Sequence, residues 1–255
     1  MSAAKVGFWL VCRARNRSLG GLVWTLQLDK SIVPPGTTTQ NVVMKYDFFP
    51  IDKLRIRTER LELRLPTNAE LVELGHRAIE GIHPDDQMPF AFPWSRKPPV
   101  ELGRGLMQHH WNMLASWKPE KWALQLGVFF HGEPVGVQDL EARDFATVKE
   151  VDSASWLARE FQGQGIGTEM RAAILYLAFQ GLGAEYANSG AFVGNHASVA
   201  VSAKNGYQHN GSSRMMVENK VRENVHFRLS REDWDASQVE VDLTGVEAAK
   251  PMFGL

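Results

Sequence analysis

The sequence has few residues that could form covalent or metal cross-links, because Cys12 is the only cysteine among its 255 residues. A single thiol excludes a disulfide within the chain and a cysteine-rich metal site. A low cysteine content suits a reducing compartment, where disulfides do not persist. We therefore expect a cytoplasmic protein without a metal site, whose stability comes from a buried apolar core.

Long apolar runs are also missing. The apolar segment Val6–Cys12 is short, arginines follow it at Arg13, Arg15 and Arg17, and no small-residue cleavage site comes after it. This pattern is not typical of a secretory signal, and no run in the chain reaches the length of a membrane span. Lysine plus arginine, 28 residues, nearly balance aspartate plus glutamate, 29 residues. We therefore expect neither a membrane nor a nucleic acid as a partner.

The chain divides into three regions by its pattern. Residues 1–53 carry scattered arginines, the turn Pro34–Gly36 and a threonine run, without a sustained hydrophobic period. We predict a poorly ordered N-terminal extension there, and the alternative is an arm that packs on a partner subunit. Residues 54–234 have regular strand and helix patterns and should form one domain, and residues 235–255 should form a C-terminal tail.

The middle region begins with a strand, a helix and a hairpin. Leucines alternate with polar residues over Leu61–Leu65, as in a half-buried strand. Thr67–Glu70 has the sequence of a capping box and predicts that a helix begins there. Further on, residues 122–130 and 135–140 flank His131–Pro134, which is a good hairpin turn. Strands and helices mixed in this way predict an α+β fold.

The stretch Gln162–Thr168 organises the rest of the chain. It lies between a strand-like segment, residues 151–158, and a segment from Ile166 onward whose apolar residues recur at helical spacing. The first N–H groups of a helix have no internal partner and carry the positive end of its dipole. Glycines leave these groups uncovered, so we predict a phosphate site at this turn. A flexible glycine-rich turn without a ligand is the alternative.

The glycine spacing separates two kinds of nucleotide site. A dinucleotide-binding fold requires G-x-G-x-x-G after a continuous apolar strand. Here the glycines run G-x-G-x-G, and the charged pair Arg159–Glu160 interrupts the approach. With Gln162, Gly165 and Gly167 in the defining places, the loop instead resembles the acyl-CoA loop of the GNAT superfamily of N-acyltransferases.

The resemblance is to the RimJ/RimL-like branch of that superfamily and covers about Arg57–Trp234. It rests further on Asp152–Leu157, Asn195–Ser198 and Lys204–Tyr207. It implies the GNAT fold, an α+β fold whose central mixed, mostly antiparallel sheet is flanked by helices. It also implies a cytoplasmic N-acyltransferase that uses acyl-CoA, and members of this branch often form homodimers.

The family likeness implies where the CoA thioester binds. Trp156 and Leu157 should supply the strand edge that pairs with the pantetheine arm, and Asn195 should bond that arm near the following helix. The residues that should surround the pyrophosphate are Gln162, Gly163, Gln164, Gly165, Ile166, Gly167 and Thr168. Three cations are either phosphate partners or solvated surface residues: Arg159, Arg171 and Lys204.

The implied reaction is attack of an amine on a thioester, which needs a route for the amine proton and a proton for the departing thiolate. Many family members use a tyrosine for the second task, but Ser202 stands at that position here. Ser198 is the better candidate, and a helix-capping hydroxyl is its alternative role. Asp152 is the candidate for the amine, with a plain ion pair to an arginine as the alternative. The candidate acceptor-side residues are Asp85, Asp86, Trp94 and His110.

The acyl group is indicated only by a subgroup resemblance. Met88–Phe90, Gly167–Ala173 and Pro251–Gly254 look like an actinobacterial subgroup described as succinyltransferases. This favours succinyl-CoA over acetyl-CoA as the co-substrate, and the acceptor is a small-molecule or protein amine. Cations that could hold a succinyl carboxylate are Arg96, Arg104, His109 and His110. The two histidines are adjacent and point about 100° apart on a helix, so they do not predict a metal site. A non-catalytic acyl-CoA-binding regulatory module is the alternative function.

Overall fold

The computed structural model describes residues 47–255, and residues Phe49–Leu255 form one compact unit. The predictions for residues 1–46 therefore lie outside the described part of the chain. In the described part, no helix is long and apolar enough to cross a membrane. The same residues contain no group of three or more His, Cys, Asp or Glu side chains that could hold a metal ion.

A single nine-stranded sheet forms the centre of the unit. Its strands are β1 (Arg55–Arg57), β2 (Leu61–Arg64), β3 (Lys121–Phe130), β4 (Glu133–Arg143), β5 (Glu150–Leu157), β6 (Tyr186–Phe192), β7 (Gln208–Val217), β8 (Lys220–Ser230) and β9 (Asp242–Thr244). Their order across the sheet is β7-β8-β6-β5-β4-β3-β2-β1-β9. Every neighbouring pair is antiparallel except β5 and β6, which are parallel. The mostly antiparallel α+β sheet that the sequence predicts is therefore present.

The helices lie on both faces of this sheet. They are α1 (Asn68–Glu80), α2 (Pro99–Ala115), α3 (Phe145–Val148), α4 (Ile166–Tyr176), α5 (His196–Lys204) and α6 (Val246–Ala249). On β4, Val137 packs with α1 and α2, whereas Leu140 packs in the larger core with α4. Residues an odd number of places apart on a strand point to opposite faces. We call the two sides the α1/α2 face and the α4 face.

The local signals in the sequence explain where the first helix begins. Thr67 Oγ1 accepts a hydrogen bond from the Glu70 amide, and the Glu70 carboxylate accepts one from the Thr67 amide, so the predicted capping box is formed. Arg64 also donates to Glu70, and this hydrogen bond lowers the pKa of the Glu70 carboxyl to about 2. The carboxylate is thus fixed at the positive end of the helix, where it stabilises the first turn.

The two ends of the described chain are built into the same core. Pro50–Lys53 forms a short 3-10 helix in which Ile51 is fully buried. At the other end β9 pairs with β1, and the Phe253 ring lies 4.8 Å from the Trp122 ring. The compact unit therefore begins at Phe49 rather than at residue 54, and the segment expected to be a tail supplies core residues.

Candidate active site

The parallel pair β5 and β6 separates after a short contact. Its ladder joins only Glu150–Asp152 to Tyr186–Asn188, although β5 continues to Leu157 and β6 to Phe192. Beyond Asp152 the two strands make no ladder pairs with each other, and a gap opens between them. We call it the inter-strand gap. The expected strand edge at Trp156 and Leu157 lies on its β5 side.

The glycine turn lies at the open end of this gap. Gly163 and Gly165 have φ angles of 74° and 82°, which favour glycine, and Gly165 is the N-cap of α4. Within residues 47–255, the amides of Gly163 to Gly167 make no hydrogen bond, whereas the Thr168 amide donates to the Gly165 carbonyl. Consecutive free amides with alternating backbone conformation form an anion-binding concavity, and the N-terminus of α4 adds its positive dipole.

The two glutamines of the loop hold its shape through the backbone. Gln162 Nε2 donates to the carbonyls of Leu157, at 2.7 Å, and Ile82, at 2.9 Å. Gln164 Nε2 donates to the Glu160 carbonyl at 2.7 Å. The Gln162 side chain thus connects the loop to the end of β5 and to the segment after α1. Because its side-chain amide nitrogen donates to these carbonyls, we assign Gln162 the role of holding the shape of the loop.

An arginine that sequence reasoning missed stands beside the loop. Arg60 Nη1 donates to the Gln164 carbonyl at 3.3 Å, and Arg60 Nε donates to Glu169 at 2.8 Å. A Cβ at Gly165 would lie 3.5 Å from Arg60 Nη2. Arg60 is about a hundred residues from the loop in sequence, and no local pattern connects the two. Of the cations that were expected to meet phosphate, Arg159 and Lys204 are exposed, but Arg171 is buried.

Asn195 and Ser198 lie where α5 begins, next to the end of β6. Asn195 Oδ1 accepts a hydrogen bond from the Ser198 amide at 3.2 Å, so the asparagine caps the helix. The alternative role for the Ser198 hydroxyl was capping, but the cap is the Asn195 side chain. Ser202 is fully buried and its hydroxyl donates to Ser189 at 3.4 Å. Ser198 is half-buried, which leaves it the more accessible of the two serines.

Asp152 is the last residue of β5 that pairs with β6, so it lies where the inter-strand gap begins, and it points to the α1/α2 face with Trp156. Partial desolvation raises the pKa of its carboxyl, a hydrogen bond with Asn188 opposes this, and the nearby Glu150 raises the pKa further. The side chain still reaches solvent. Among residues 47–255 no arginine lies within ion-pair distance of Asp152, so the ion pair that was the alternative role is not formed there.

A second carboxyl on the same face was not anticipated from the sequence. Asp139 on β4 faces Ala154 on β5, and its Oδ1 is buried without a hydrogen-bond partner in the described residues. Burial raises the pKa of the Asp139 carboxyl to about 7, while a hydrogen bond from Gln125 and the charge of Arg171 act in the opposite direction. A carboxyl with a pKa near 7 exchanges its proton at neutral pH.

His110 is connected to Asp139 through the side chain of Gln125. The imidazole is 2% exposed, and its Nδ1 lies 3.2 Å from Gln125 Oε1, which leaves the Gln125 amide nitrogen for Asp139. Burial lowers the pKa of His110, which lies on the buried face of α2. Its neighbour His109 is exposed, as is Arg104 on the same helix.

The remaining acceptor-side candidates separate into two places. The Trp94 ring lies 5.9 Å from the Trp156 ring, so this residue reaches the edge of β5. Asp85 and Asp86 instead line a cleft of about 250 Å³ between their loop and the β7–β8 hairpin. The cations of that cleft are Arg96, Lys220 and Arg222. Arg96 is bound to Glu218 at 2.9 Å, so it does not offer an unpaired charge.

Arg171 connects the two strands across the inter-strand gap on the α4 face. Nη1 donates to Ser189 on β6 at 2.9 Å, and Nη2 donates to Ser155 on β5 at 3.3 Å. The side chain is 3% exposed, and Nε is buried without a partner in the described residues. Sequence reasoning placed Arg171 among the phosphate or surface residues, but only the register of β5 and β6 against α4 brings it into the gap.

The family model of the acetyltransferase (GNAT) domain matches residues 60–208, which is more than half of the chain. Among solved structures, RimL, a ribosomal-protein α-N-acetyltransferase in complex with coenzyme A, is 19% identical, with a TM-score of 0.57 over 71% of this chain and 97% of that chain. A GNAT-family acetyltransferase from Bacillus anthracis is 12% identical, with a TM-score of 0.55 over 70% and 99% of the two chains. MccE, a microcin self-immunity acetyltransferase in complex with acetyl-CoA and AMP, is 18% identical, with a TM-score of 0.53 over 68% and 93%. The predicted GNAT fold is confirmed.

Proposed function

This chain belongs to the GNAT family of acetyltransferases, and from that premise we propose that it transfers a succinyl group from succinyl-CoA to a primary amine. Membership of the family implies an acyl-CoA-dependent transferase that acts on amines. The succinyl donor and the roles of individual residues are our proposal. The single observation that carries the donor site is the run of unpaired amides from Gly163 to Gly167 beside the inter-strand gap.

The residues at this place fit a CoA thioester. The amides of the glycine turn can hold a pyrophosphate, and Arg60 adds a positive charge next to them. In the described part of the chain, the β5 edge past Asp152 has no strand partner on its β6 side, so its backbone can pair with the amides of a pantetheine arm. When bound, the thioester supplies an activated acyl group. The protein residues then have to position the amine and move two protons.

We assign those tasks to Asp152 and Ser198. Asp152 lies where the gap begins, and its raised pKa makes it a better proton acceptor than a fully solvated carboxylate. It takes the proton from the amine or orients the amine through its carboxylate. The Ser198 hydroxyl, near the end of β6, donates a hydrogen bond to the departing thiolate. Trp94 and Trp156 form the apolar wall on the acceptor side.

A screen of donors against acceptors tests the proposal directly. Full-length protein is incubated with succinyl-CoA or acetyl-CoA and with pooled small-molecule amines or peptides, and thiol release is followed. Release that depends on the amine, together with an acylated product detected by mass spectrometry, supports the proposal. Donor binding without amine-dependent thiol release would instead indicate a regulatory acyl-CoA-binding module. A higher kcat/KM for acetyl-CoA than for succinyl-CoA would reject the succinyl assignment alone.

A further inference from the structure

Arg171 is a buried cation without an acidic partner among the described residues. Within residues 47–255, its two terminal nitrogens donate only to the hydroxyls of Ser155 and Ser189, and its Nε has no acceptor. Burying a charge among neutral groups is costly unless the charge is paired or binds a ligand. An apolar residue at the same position of α4 would cost less free energy to bury. We therefore expect the charge of Arg171 to have a function.

The position of the guanidinium restricts what its ligand can be. Ser189 follows the last residue of β6 that pairs with β5. Ser155 lies three residues past the last residue of β5 that pairs with β6. The guanidinium therefore spans the inter-strand gap just beyond the point where the strands separate. Arg171 is also five residues along α4 from Ile166, or about 7.5 Å of helix rise from the amides of the glycine turn. It is thus at the acyl end of the gap and not at the phosphate end.

The charges around Arg171 favour binding of an anionic ligand to its guanidinium. In the described residues, the charge of Asp139 on the opposite face of the sheet interacts with Arg171, and burial raises the pKa of that carboxyl to about 7, so it is only partly ionised at neutral pH. A guanidinium has a planar set of N–H donors that matches a carboxylate. An acetyl group offers no such partner, whereas an acyl group that ends in a carboxylate does.

We infer that Arg171 binds the terminal carboxylate of a dicarboxylic acyl group, such as succinyl, and so determines which acyl-CoA the protein prefers. This inference rests on the proposed function and adds the residue that recognises the donor. Ser155 and Ser189 hold the guanidinium across the gap, and the buried Nε provides a further donor. The contact requires residues from β5, β6 and α4, so it exists only in the folded protein.

Calorimetric binding of succinyl-CoA, acetyl-CoA and free CoA to full-length wild-type protein and to Arg171→Met tests the inference. Methionine keeps much of the side-chain length without the charge. We expect the variant to lose roughly tenfold or more in succinyl-CoA affinity, because charge-assisted hydrogen bonds are lost, while acetyl-CoA and CoA affinities stay within about twofold. Arg60→Met is the matched control beside the glycine turn, and it should weaken all three ligands alike because they share the phosphates.

The measured quantity is the ratio of succinyl-CoA to acetyl-CoA affinity in each variant, divided by the same ratio in the wild type. An unchanged ratio in Arg171→Met overturns the inference even if the wild type is an active transferase. An equal loss for both acyl donors also overturns it, since Arg171 would then act on a shared part of the thioester. If none of the ligands binds to wild-type protein, the proposed function itself fails.

A second variant keeps the test decisive if Arg171→Met does not fold, which a thermal melt establishes. Arg171→Lys retains the positive charge but replaces the planar donor set with a single ammonium group. The affinity ratio should still fall, by less than in the methionine variant. A ratio equal to that of the wild type in a folded Arg171→Lys would contradict carboxylate recognition by the guanidinium.

Discussion

The two ends of the inter-strand gap, which we propose as the donor site, are built in different ways. At the phosphate end, the ligand groups are backbone amides from one short stretch, Gly163 to Gly167, and the next helix orients them. At the acyl end, the groups are side chains from three elements, Ser155 on β5, Arg171 on α4 and Ser189 on β6, and the Asp139 carboxyl on β4 interacts with the charge of Arg171 from the opposite face of the sheet. Backbone amides carry no net charge and have little freedom once the turn is formed. The acyl end instead depends on ionisable groups held away from water.

This difference has a consequence for stability. Free amides at an exposed turn cost little, because water can satisfy them when no ligand is bound. A buried carboxyl or guanidinium has no such compensation, so the acyl end should make the folded state less stable than an apolar core would. The comparison predicts that substitutions at the phosphate end change ligand affinity, and that substitutions at the acyl end change both stability and its dependence on pH.

The largest expected effect is on stability in Asp139→Asn. The pKa of Asp139 is about 7 in the folded protein, above the ordinary value of 3.8 for an aspartate side chain. At a pH between these two pKa values, the folded state therefore holds a proton that the unfolded state has lost. The free energy of unfolding consequently falls as the pH rises from about 4 to about 7. A shift of about three units corresponds to on the order of 4 kcal/mol. Asp139→Asn should remove most of this loss.

Urea unfolding of wild type and Asp139→Asn at pH 5 and pH 8 measures the effect. The variant should gain stability over the wild type at pH 8 and gain much less at pH 5. Glu141 and Asp152 also have raised pKa values through desolvation, so part of the pH dependence should remain in the variant. If the free energy of unfolding has the same pH dependence in the two proteins, the pKa of Asp139 is not raised in the folded state. The predicted difference in stability between the two ends would then be wrong.

The second effect is on CoA affinity in Gly165→Asp. The substitution adds a carboxylate among the amides that should hold the pyrophosphate, at a φ angle of 82° that side chains rarely adopt. We expect affinity for free CoA to fall more than a hundredfold, or about 2.7 kcal/mol. Gly132→Asp is the matched control, because Gly132 has a φ of 86° and open space around it in the β3–β4 turn. Calorimetry showing equal CoA affinity in the folded wild type and Gly165→Asp would reject the phosphate site.

The third prediction concerns Asp152→Asn, which removes the proposed proton acceptor but keeps the shape of the side chain. We expect kcat to fall about a hundredfold, the lower end of what general base catalysis contributes. The affinity for CoA should not change, because the phosphate end is untouched. Steady-state kinetics with saturating donor measures kcat, and Asp242→Asn on the exposed edge strand serves as the control. A wild-type kcat would remove Asp152 from the mechanism.

The smallest expected effect is in Ser198→Ala. Losing one hydrogen bond to a developing thiolate should lower kcat about tenfold, with little change in the donor KM, since the interaction forms in the transition state. Ser212→Ala, on the exposed strand β7, is the control for loss of a hydroxyl. A rise in donor KM at constant kcat would mean that Ser198 binds the donor in the ground state and does not assist departure of the thiolate.

Several features of the fold were readable from short stretches of sequence. The capping box at Thr67–Glu70 and the glycine turn before α4 are formed as predicted, and the predicted hairpin is formed with a shorter turn, His131–Gly132, because Glu133 and Pro134 already pair with β3. Each is decided by residues within a few positions of one another. The order of strands and helices between residues 54 and 234 follows from such local signals, and the GNAT resemblance adds how they are arranged.

Other features could not be read in that way. The burial of Ile51 and Phe253 had no periodic signal, because each is an isolated apolar residue whose partners lie far away in the chain. The assignment of Arg171 to the surface or to phosphate was reasonable for an arginine on a helix. Its burial follows from the position of α4 over the separated strands, which no local pattern contains.

The sequence by itself thus determined the glycine turn, the helix that follows it and the family of the chain, because these depend on neighbouring residues and on backbone chemistry. Only the tertiary structure decided which side chains meet at the acyl end. The pKa of Asp139 and the isolation of the Arg171 charge arise from burial between elements that are distant in sequence. Desolvation depends on everything that surrounds a group, and it is therefore a property of the folded protein and not of any stretch of it.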